Sequence, residues 1–219
     1  MTTGDAEATG RPRAAAARRP ASTGTDLALK WVGILCLVIA SGLAGYIGWS
    51  LWGTGLTTQR AQDQLRPGFV GRIDTKTGQP PPPDRLRLPG TAYAEIVIPR
   101  IGLNMIVVEG TDEADLEKGP GHYSDTADPW QDSGRVGIAG HRTTYLHPFG
   151  NLDEMRAGDE ITLRTEYGTF RYVVNEVFVV PSEGSGKVLT QTVRPTLVLT
   201  TCHPEYSAAE RLIVTADRV

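Results

Sequence analysis

Cysteine is scarce in this chain, whose 219 residues contain only Cys36 and Cys202. The net charge of −3 leaves no basic face of the kind that binds nucleic acid. Internal repeats are lacking, and the acidic residues are scattered rather than grouped into a cation-binding pattern. These absences argue against a nucleic-acid-binding protein, a repeat protein and a metalloenzyme. We therefore expect no nucleic-acid partner, no metal and no cofactor.

The longest apolar run lies near the N-terminus. Trp31 to Trp52 contains no charged residue, and as a helix it spans about 33 Å, enough to cross a hydrocarbon core of roughly 30 Å. Residues 27–52 are therefore predicted to be a transmembrane anchor, with residues 1–26 as a disordered, basic tail in the cytoplasm and the rest outside. A cleaved signal peptide is the alternative, but the run is longer than a typical signal-peptide core.

Proline and glycine are abundant, with 15 and 25 residues, and favour turns and short strands over a helical bundle. Residues 53–90 include the run QPPPPDRLRLPG and few apolar side chains. This composition predicts a Pro-rich extracellular linker, in which a short helix could form near Thr58–Leu65. Residues 91–219 remain as the globular domain.

Segments rich in Ile, Val and Thr punctuate this domain, with Gly or Pro between them. Seven are predicted strands: Ala92–Ile98, Asn104–Val108, Arg135–Ala139, Glu160–Arg164, Thr169–Val180, Pro195–Thr201 and Arg211–Ala216. A helix capped by Thr111 and ending at Leu116, and a helical turn within Phe149–Met155, complete the prediction. About eight short strands with so little helix favour an all-β fold, a small closed barrel rather than a sandwich.

Cys202 is the residue with the clearest chemical potential. Cys36 lies in the predicted membrane span and so cannot pair with it, which leaves Cys202 as a lone thiol in an oxidising compartment. Such a cysteine either bridges two molecules or reacts, and a reacting thiol needs a polar or positive neighbour. A buried, inert cysteine at a strand end is the structural alternative.

Four histidines could serve as its partner. His203 is adjacent but points to the opposite face if the strand continues. His147 precedes Pro148 in a predicted loop, and His122 lies between Gly121 and Tyr123; for both, a plain surface position is the alternative. His141 follows the short apolar run VGIAG and is favoured, because one strand end can present its histidine to another strand end.

Arg211 opens the last predicted strand, one short loop after Cys202. Its guanidinium is permanently charged and donates in a fixed fork, which suits an oxyanion or a substrate carbonyl. The alternative is a surface arginine beside Glu210.

Three segments, GIAGHR (137–142), LVLTTCHP (197–204) and ERLIV (210–214), resemble the motifs of sortases in order and spacing. The family pattern Thr-Leu-x-Thr-Cys is met at Leu199, Thr201 and Cys202, with Val198 in place of its first threonine. The resemblance covers residues 92–219.

The resemblance implies an eight-stranded barrel with one or two short helices and a cysteine transpeptidase activity. Cys202 would attack the Thr–Gly bond of a sorting signal in a secreted protein, His141 would shuttle the proton, and Arg211 would steady the oxyanion. The acceptor would be an amine of a peptidoglycan precursor.

CHPEYSAAERLIV and GPGHY (119–123) look most like class E, the housekeeping sortases of high-GC actinobacteria, which are associated with Leu-Ala-x-Thr-Gly rather than Leu-Pro-x-Thr-Gly signals. By that resemblance Tyr123 would lie in the pocket for the second signal residue, and Thr201 would also contact substrate. A tyrosine that merely packs a loop against the barrel is the alternative for Tyr123.

Three other functions stay open. A pilus-polymerising sortase usually carries an Asp-Pro-aromatic lid before the barrel, whereas Asp128-Pro129-Trp130 falls inside the domain here. An L,D-transpeptidase-like acyltransferase shares the nucleophile but normally has a Ser-His-Gly-Cys segment, which this sequence lacks. A non-catalytic, membrane-tethered β-domain would keep the fold and the anchor without needing the thiol.

Overall fold

The computed structural model describes residues 24–79 and 88–219. Most of the predicted N-terminal tail and the polyproline run Pro80–Pro83 lie outside these residues. The chain divides into two compact units, with the division between Ala44 and Gly45.

Helix α1, Gly24–Gly48, contains the apolar run. Its residues 26–48 are long and apolar enough to cross a membrane, and their side chains are exposed in the structure. One π-helical turn, Trp49–Gly53, follows it. An N-terminal helix of this kind fits a single-pass membrane anchor.

Eight strands form a closed barrel, as the sequence predicted. Around the barrel the strands pair in the order β1-β2-β3-β4-β7-β8-β6-β5. The barrel closes because β5 pairs with β1. Their bounds are β1 Ala92–Ile98, β2 Leu103–Glu109, β3 Gly121–His122, β4 Arg135–Ala139, β5 Glu160–Thr165, β6 Gly168–Pro181, β7 Thr196–His203 and β8 Glu210–Arg218.

Two strand pairs, β2–β3 and β4–β7, are parallel, and the others are antiparallel. Alternate residues of each strand point into the barrel, and Ile96, Ile138, Leu163, Leu199 and Val214 are all fully buried there. This apolar interior supplies most of the driving force for folding, while the polar residues that matter for function lie at the strand ends.

Short helical elements connect the strands. Helix α3, Glu113–Leu116, begins after Asp112 rather than after the predicted cap Thr111. Three 3₁₀ turns, Pro99–Ile101, Leu152–Glu154 and Ser185–Leu189, lie between strands. The helical turn expected within Phe149–Met155 corresponds to the second of these.

Helix α2, Thr54–Val70, occupies half of the segment predicted to be a linker, and is longer than the short helix expected near Thr58–Leu65. One face is buried against the barrel through Thr58, Gln62 and Phe69. The Gln62 amide donates to the carbonyl of Ile106 (2.9 Å) and accepts from its N–H (2.7 Å). These bonds satisfy the N–H and the carbonyl of Ile106 in β2, which the two-residue β3 is too short to reach.

Arg66 adds an ion pair between α2 and the barrel. Its guanidinium lies 2.7 Å from the buried carboxylate of Glu95 in β1, which Arg164 approaches from β5 at 3.4 Å. The helix thus docks mainly through polar side chains. Because Phe69 is its one apolar side chain in the buried face, hydrophobic periodicity gave no sign of the docking.

Candidate active site

Strand pairing brings the three predicted catalytic residues together. In the parallel β4–β7 pair Ala139 lies opposite Thr200, so that His141, two residues on, comes level with Cys202. In the antiparallel β7–β8 pair Cys202 lies directly opposite Arg211. All three side chains line one cavity of about 200 Å³ at this end of the barrel.

Gly140 fixes the backbone between the two strand ends. Its N–H donates to the carbonyl of Thr200 (3.1 Å), and its carbonyl accepts from the Thr201 hydroxyl (2.8 Å). A Cβ at this position would lie 2.6 Å from the ring of Phe149, so only glycine fits. The hydroxyl of Thr201, predicted to contact substrate, is therefore bonded to the backbone that carries His141.

His141 lies in a half-buried position over the cavity. Its ring contacts that of Tyr145, with centroids 4.8 Å apart and planes inclined by 35°. Its Nε2 is buried and has no hydrogen-bond partner among the described residues. Burial lowers the pKa of His141, although the negative charges of Glu113 and Glu117 oppose the shift. The neutral imidazole is favoured, with one nitrogen directed at no protein group.

Arg211 is held by main-chain carbonyls. Its Nη1 donates to the carbonyl oxygens of Ala208 and Glu210, both at 2.9 Å. Within residues 24–79 and 88–219, no carboxylate forms an ion pair with it. Its positive charge therefore remains available to a negative oxygen in the cavity.

Tyr123 lies at the edge of the same cavity, where its hydroxyl is 3.0 Å from that of Thr200. A second cavity of about 270 Å³ is lined by residues of the 3₁₀ turn Ser185–Leu189. Tyr123, Thr200 and Arg211 line both cavities.

His122, for which the sequence left a surface position open, is fully buried in β3. Its Nδ1 lies 3.2 Å from a carboxylate oxygen of Glu109, and its ring stacks on that of Tyr93 at 4.1 Å. Strand β3 was not predicted, because it has only two residues and shows no alternation. Next to it, Thr126 donates to the carbonyl of Tyr123 (2.7 Å) and thereby anchors the tyrosine.

The other two histidines lie outside the cavity. His147 is exposed, as expected for a loop residue. His203 points away from Cys202, and its Nδ1 lies 2.9 Å from Nη1 of Arg142. Arg142 is buried and also pairs with Asp153 (3.1 Å). The residues that follow His141 and Cys202 are thus bonded to each other behind the site, a contact that sequence reasoning missed.

Among the described residues, no cluster of three or more His, Cys, Asp or Glu side chains could hold a metal ion. Neither cysteine is in a disulfide: Cys36 is exposed on α1 and Cys202 is partly exposed in the cavity. A thiol, an imidazole and a guanidinium are the reactive groups that the described residues bring to this cavity.

Comparison with known proteins gives this site a family. The family model described as the sortase domain matches residues 96–219. Sortase D of Bacillus subtilis (strain 168) is 32% identical over 194 residues, which cover 83% of this chain and 96% of that protein. Sortase SrtE1 of Streptomyces coelicolor is 27% identical over 216 residues, covering 92% of this chain and 60% of that protein.

The fold is similar to solved structures as well. That of a Clostridium perfringens sortase D5 transpeptidase is 33% identical, with a TM-score of 0.56, and the match covers 61% of this chain and 82% of that one. Sequence, barrel and relatives agree. This chain belongs to the sortase family of cysteine transpeptidases.

Proposed function

We propose that this sortase cleaves a sorting signal of the Leu-Ala-x-Thr-Gly or Leu-Pro-x-Thr-Gly type between Thr and Gly, and joins the new carboxyl end to an amine of a cell-wall precursor. Its substrates would be secreted proteins that carry the signal near their C-terminus. The observation that supports this most is the shared cavity of Cys202, His141 and Arg211.

The reaction would proceed in two halves. His141, neutral at rest, takes the proton of the Cys202 thiol, and the thiolate attacks the threonine carbonyl while the forked donors of Arg211 stabilise the charge on the carbonyl oxygen. The C–N bond breaks as His141 gives that proton to the departing glycine amine. A thioester remains. An incoming amine then attacks it, His141 takes the proton, and the C–S bond breaks to release the thiolate.

Trapping the thioester tests this assignment directly. The full-length protein in detergent is mixed with a fluorogenic sorting peptide, and intact-protein mass spectrometry should find the acyl adduct on Cys202. Cys202→Ala should form no adduct and show no turnover. Arg211→Lys should lower kcat by about 100-fold or more, because an ammonium lacks the fork, while Arg171→Lys on the exposed face of β6 should not change it. Turnover by Cys202→Ala near the wild-type rate would reject the nucleophile.

In this proposal Tyr123 contributes to the choice of signal. Both a sortase D and a SrtE1 are among the relatives, and a tyrosine that lines both cavities is compatible with the class E interpretation, in which it contacts the second signal residue. Paired peptides with Ala or Pro at that residue should differ in kcat/KM. Tyr123→Phe should reduce the difference, and an unaltered ratio would place Tyr123 outside the pocket.

The proposed orientation puts the N-terminus in the cytoplasm and the barrel on the outer face, tethered by α1. A membrane-impermeant methanethiosulfonate applied to intact cells should label the wild-type protein at Cys202 and should not label Cys202→Ala. Labelling only after the cells are broken would indicate the opposite orientation, with the barrel in the cytoplasm.

A pilus-polymerising activity receives less support. Asp128-Pro129-Trp130 lies between β3 and β4, where the Asp128 carboxylate accepts from the Tyr93 hydroxyl (3.0 Å) and the Trp130 ring contacts that of Tyr167 (4.6 Å). Trp130 lines a different cavity from Cys202. These contacts support a segment that packs on the barrel rather than a lid over Cys202.

A further inference from the structure

We propose that Tyr145 is a positioning residue for His141, and that helix α2 holds Tyr145 in place. The segment that directly follows the membrane span would then be a working part of the active site rather than a spacer. The inference rests on the proposed role of His141 in proton transfer.

Tyr145 is fixed at both ends. Its ring packs against the imidazole of His141, and its hydroxyl donates to a carboxylate oxygen of Glu117 at 2.9 Å. Its backbone N–H donates to the hydroxyl of Thr54, the first residue of α2, at 3.2 Å. The tyrosine therefore bridges the catalytic histidine, the end of α3 and the start of α2.

Helix α2 also controls the other partner of the tyrosine. The Thr58 hydroxyl donates to the carbonyl of Glu117 at 2.7 Å, and the Gln62 amide donates to the carbonyl of Lys118 at 2.8 Å. One turn before Thr58, a Cβ at Gly55 would lie 3.2 Å from the side chain of Leu146, so the helix passes close to the loop itself. Both anchors of Tyr145, Thr54 and Glu117, thus depend on α2.

The loop after His141 needs such support. Tyr145, Leu146 and His147 all have positive φ, at 54°, 61° and 38°, in a region that side chains other than glycine enter at a cost. A run of this kind persists only where the surroundings impose it. Without the contacts from α2 the loop should relax towards ordinary backbone angles, and the Tyr145 ring should leave the imidazole.

The consequence falls on catalysis rather than on substrate binding. Tyr145 lines neither of the two cavities, whereas His141 lines the one that contains Cys202. An imidazole without its packing partner samples more orientations and meets more water. The expected effect is a lower kcat with little change in KM, because small misplacements of a catalytic group are costly.

The test uses the full-length protein in detergent and four variants. Thr54→Val removes the acceptor but keeps the shape, and should lower kcat about fivefold with KM within about twofold. Thr54→Ser restores the acceptor and should restore kcat. Thr57→Val, on the exposed face of the same helix, is the matched control and should behave as wild type. Tyr145→Leu should lower kcat about tenfold or more.

A second readout is independent of turnover. NMR of ¹³C-labelled histidine reports the pKa of the His141 imidazole, which burial now lowers. Thr54→Val and Tyr145→Leu should raise that pKa towards its ordinary value, because both admit water to the ring, and Thr57→Val should leave it where it is. This measurement needs no substrate and holds even if the proposed sorting reaction is not the one catalysed.

The outcomes separate the two proposals. A wild-type protein that transfers no acyl group, yet shows the pKa rise in Thr54→Val, rejects the proposed function and keeps Tyr145 as the partner of His141. An unchanged kcat and an unchanged pKa in Thr54→Val overturn the inference. So does a kcat that falls only in proportion to the folded fraction measured by circular dichroism, since α2 would then serve stability alone.

Discussion

Replacement of Thr201 by valine separates two roles for the residue that precedes Cys202, the proposed nucleophile. The Thr201 side chain is almost fully buried and its hydroxyl donates to the carbonyl of Gly140 at 2.8 Å. Valine keeps the shape and removes the donor, which leaves a buried carbonyl without its partner. Such a loss costs about 1–3 kcal/mol. For a chain of this size, about 2–4 °C of Tm corresponds to each kcal/mol, so Tm should fall by about 2–12 °C.

The same change should affect the reaction. Gly140 precedes His141, so an unrestrained carbonyl lets the histidine move relative to Cys202, and kcat should fall about tenfold. KM should stay within about twofold if Thr201 acts only through the backbone. The assay pairs calorimetry with steady-state turnover of a sorting peptide, with Thr162→Val in β5 as the control and Thr201→Ser as the rescue.

A different result would restore the interpretation drawn from sequence. If Thr201→Val raises KM severalfold while Tm and kcat hold, the hydroxyl contacts substrate and the bond to Gly140 is dispensable. If Thr201→Val and Thr162→Val lower Tm equally, the bond from the Thr201 hydroxyl to the Gly140 carbonyl does not stabilise the fold as expected.

Three further changes test other parts of the structure. Arg142→Met should lower kcat about tenfold, because it removes the hydrogen bond to His203. His203→Asn retains an acceptor near the position of Nδ1 and should keep more activity than His203→Leu. Equal loss of activity in both His203 variants would contradict this. Tyr172→Phe should be neutral or stabilise by up to ~1 kcal/mol, because the phenol is buried with no partner among the described residues; calorimetry showing a clear loss would reveal a missed hydrogen bond. The pKa of His141 is lower in the folded state than in the unfolded state, so protonation of this imidazole favours unfolding. Its contribution to the free energy of unfolding is fully present above about pH 6.5 and is lost as the pH falls below that value. Urea titrations of His141→Gln between pH 5 and 7.5 should therefore show a flatter pH dependence than wild type.

The barrel could be predicted because most of its strands are recognisable in the sequence. Ala92–Ile98 and Arg135–Ala139 were predicted with the bounds that the structure has, since each is a β-branched or apolar run stopped by proline or glycine. The meeting of Cys202, His141 and Arg211 was expected partly from strand ends and mainly from the resemblance to sortases. The structure brings these three to one cavity.

Polar contacts between elements could not be predicted from the sequence. Helix α2 docks through Thr58, Gln62 and Arg66, which leave no apolar stripe in the sequence. The bond between Thr201 and Gly140 joins residues 61 positions apart, and it exists only because β4 and β7 pair in parallel. Hydrogen-bond partners of this kind follow from topology, which hydrophobic patterning cannot specify.

The parallel pairing of β4 with β7 has a consequence for how this enzyme can vary. Between β4 and β7 the polypeptide forms β5 and β6, which pair on the other side of the barrel, before it returns to Cys202. Lengthening the turn between β5 and β6, which contributes no residue to either cavity, changes neither the alignment of β4 with β7 nor that of β7 with β8. New surface features can therefore be added at that turn without disturbing Cys202, His141 and Arg211.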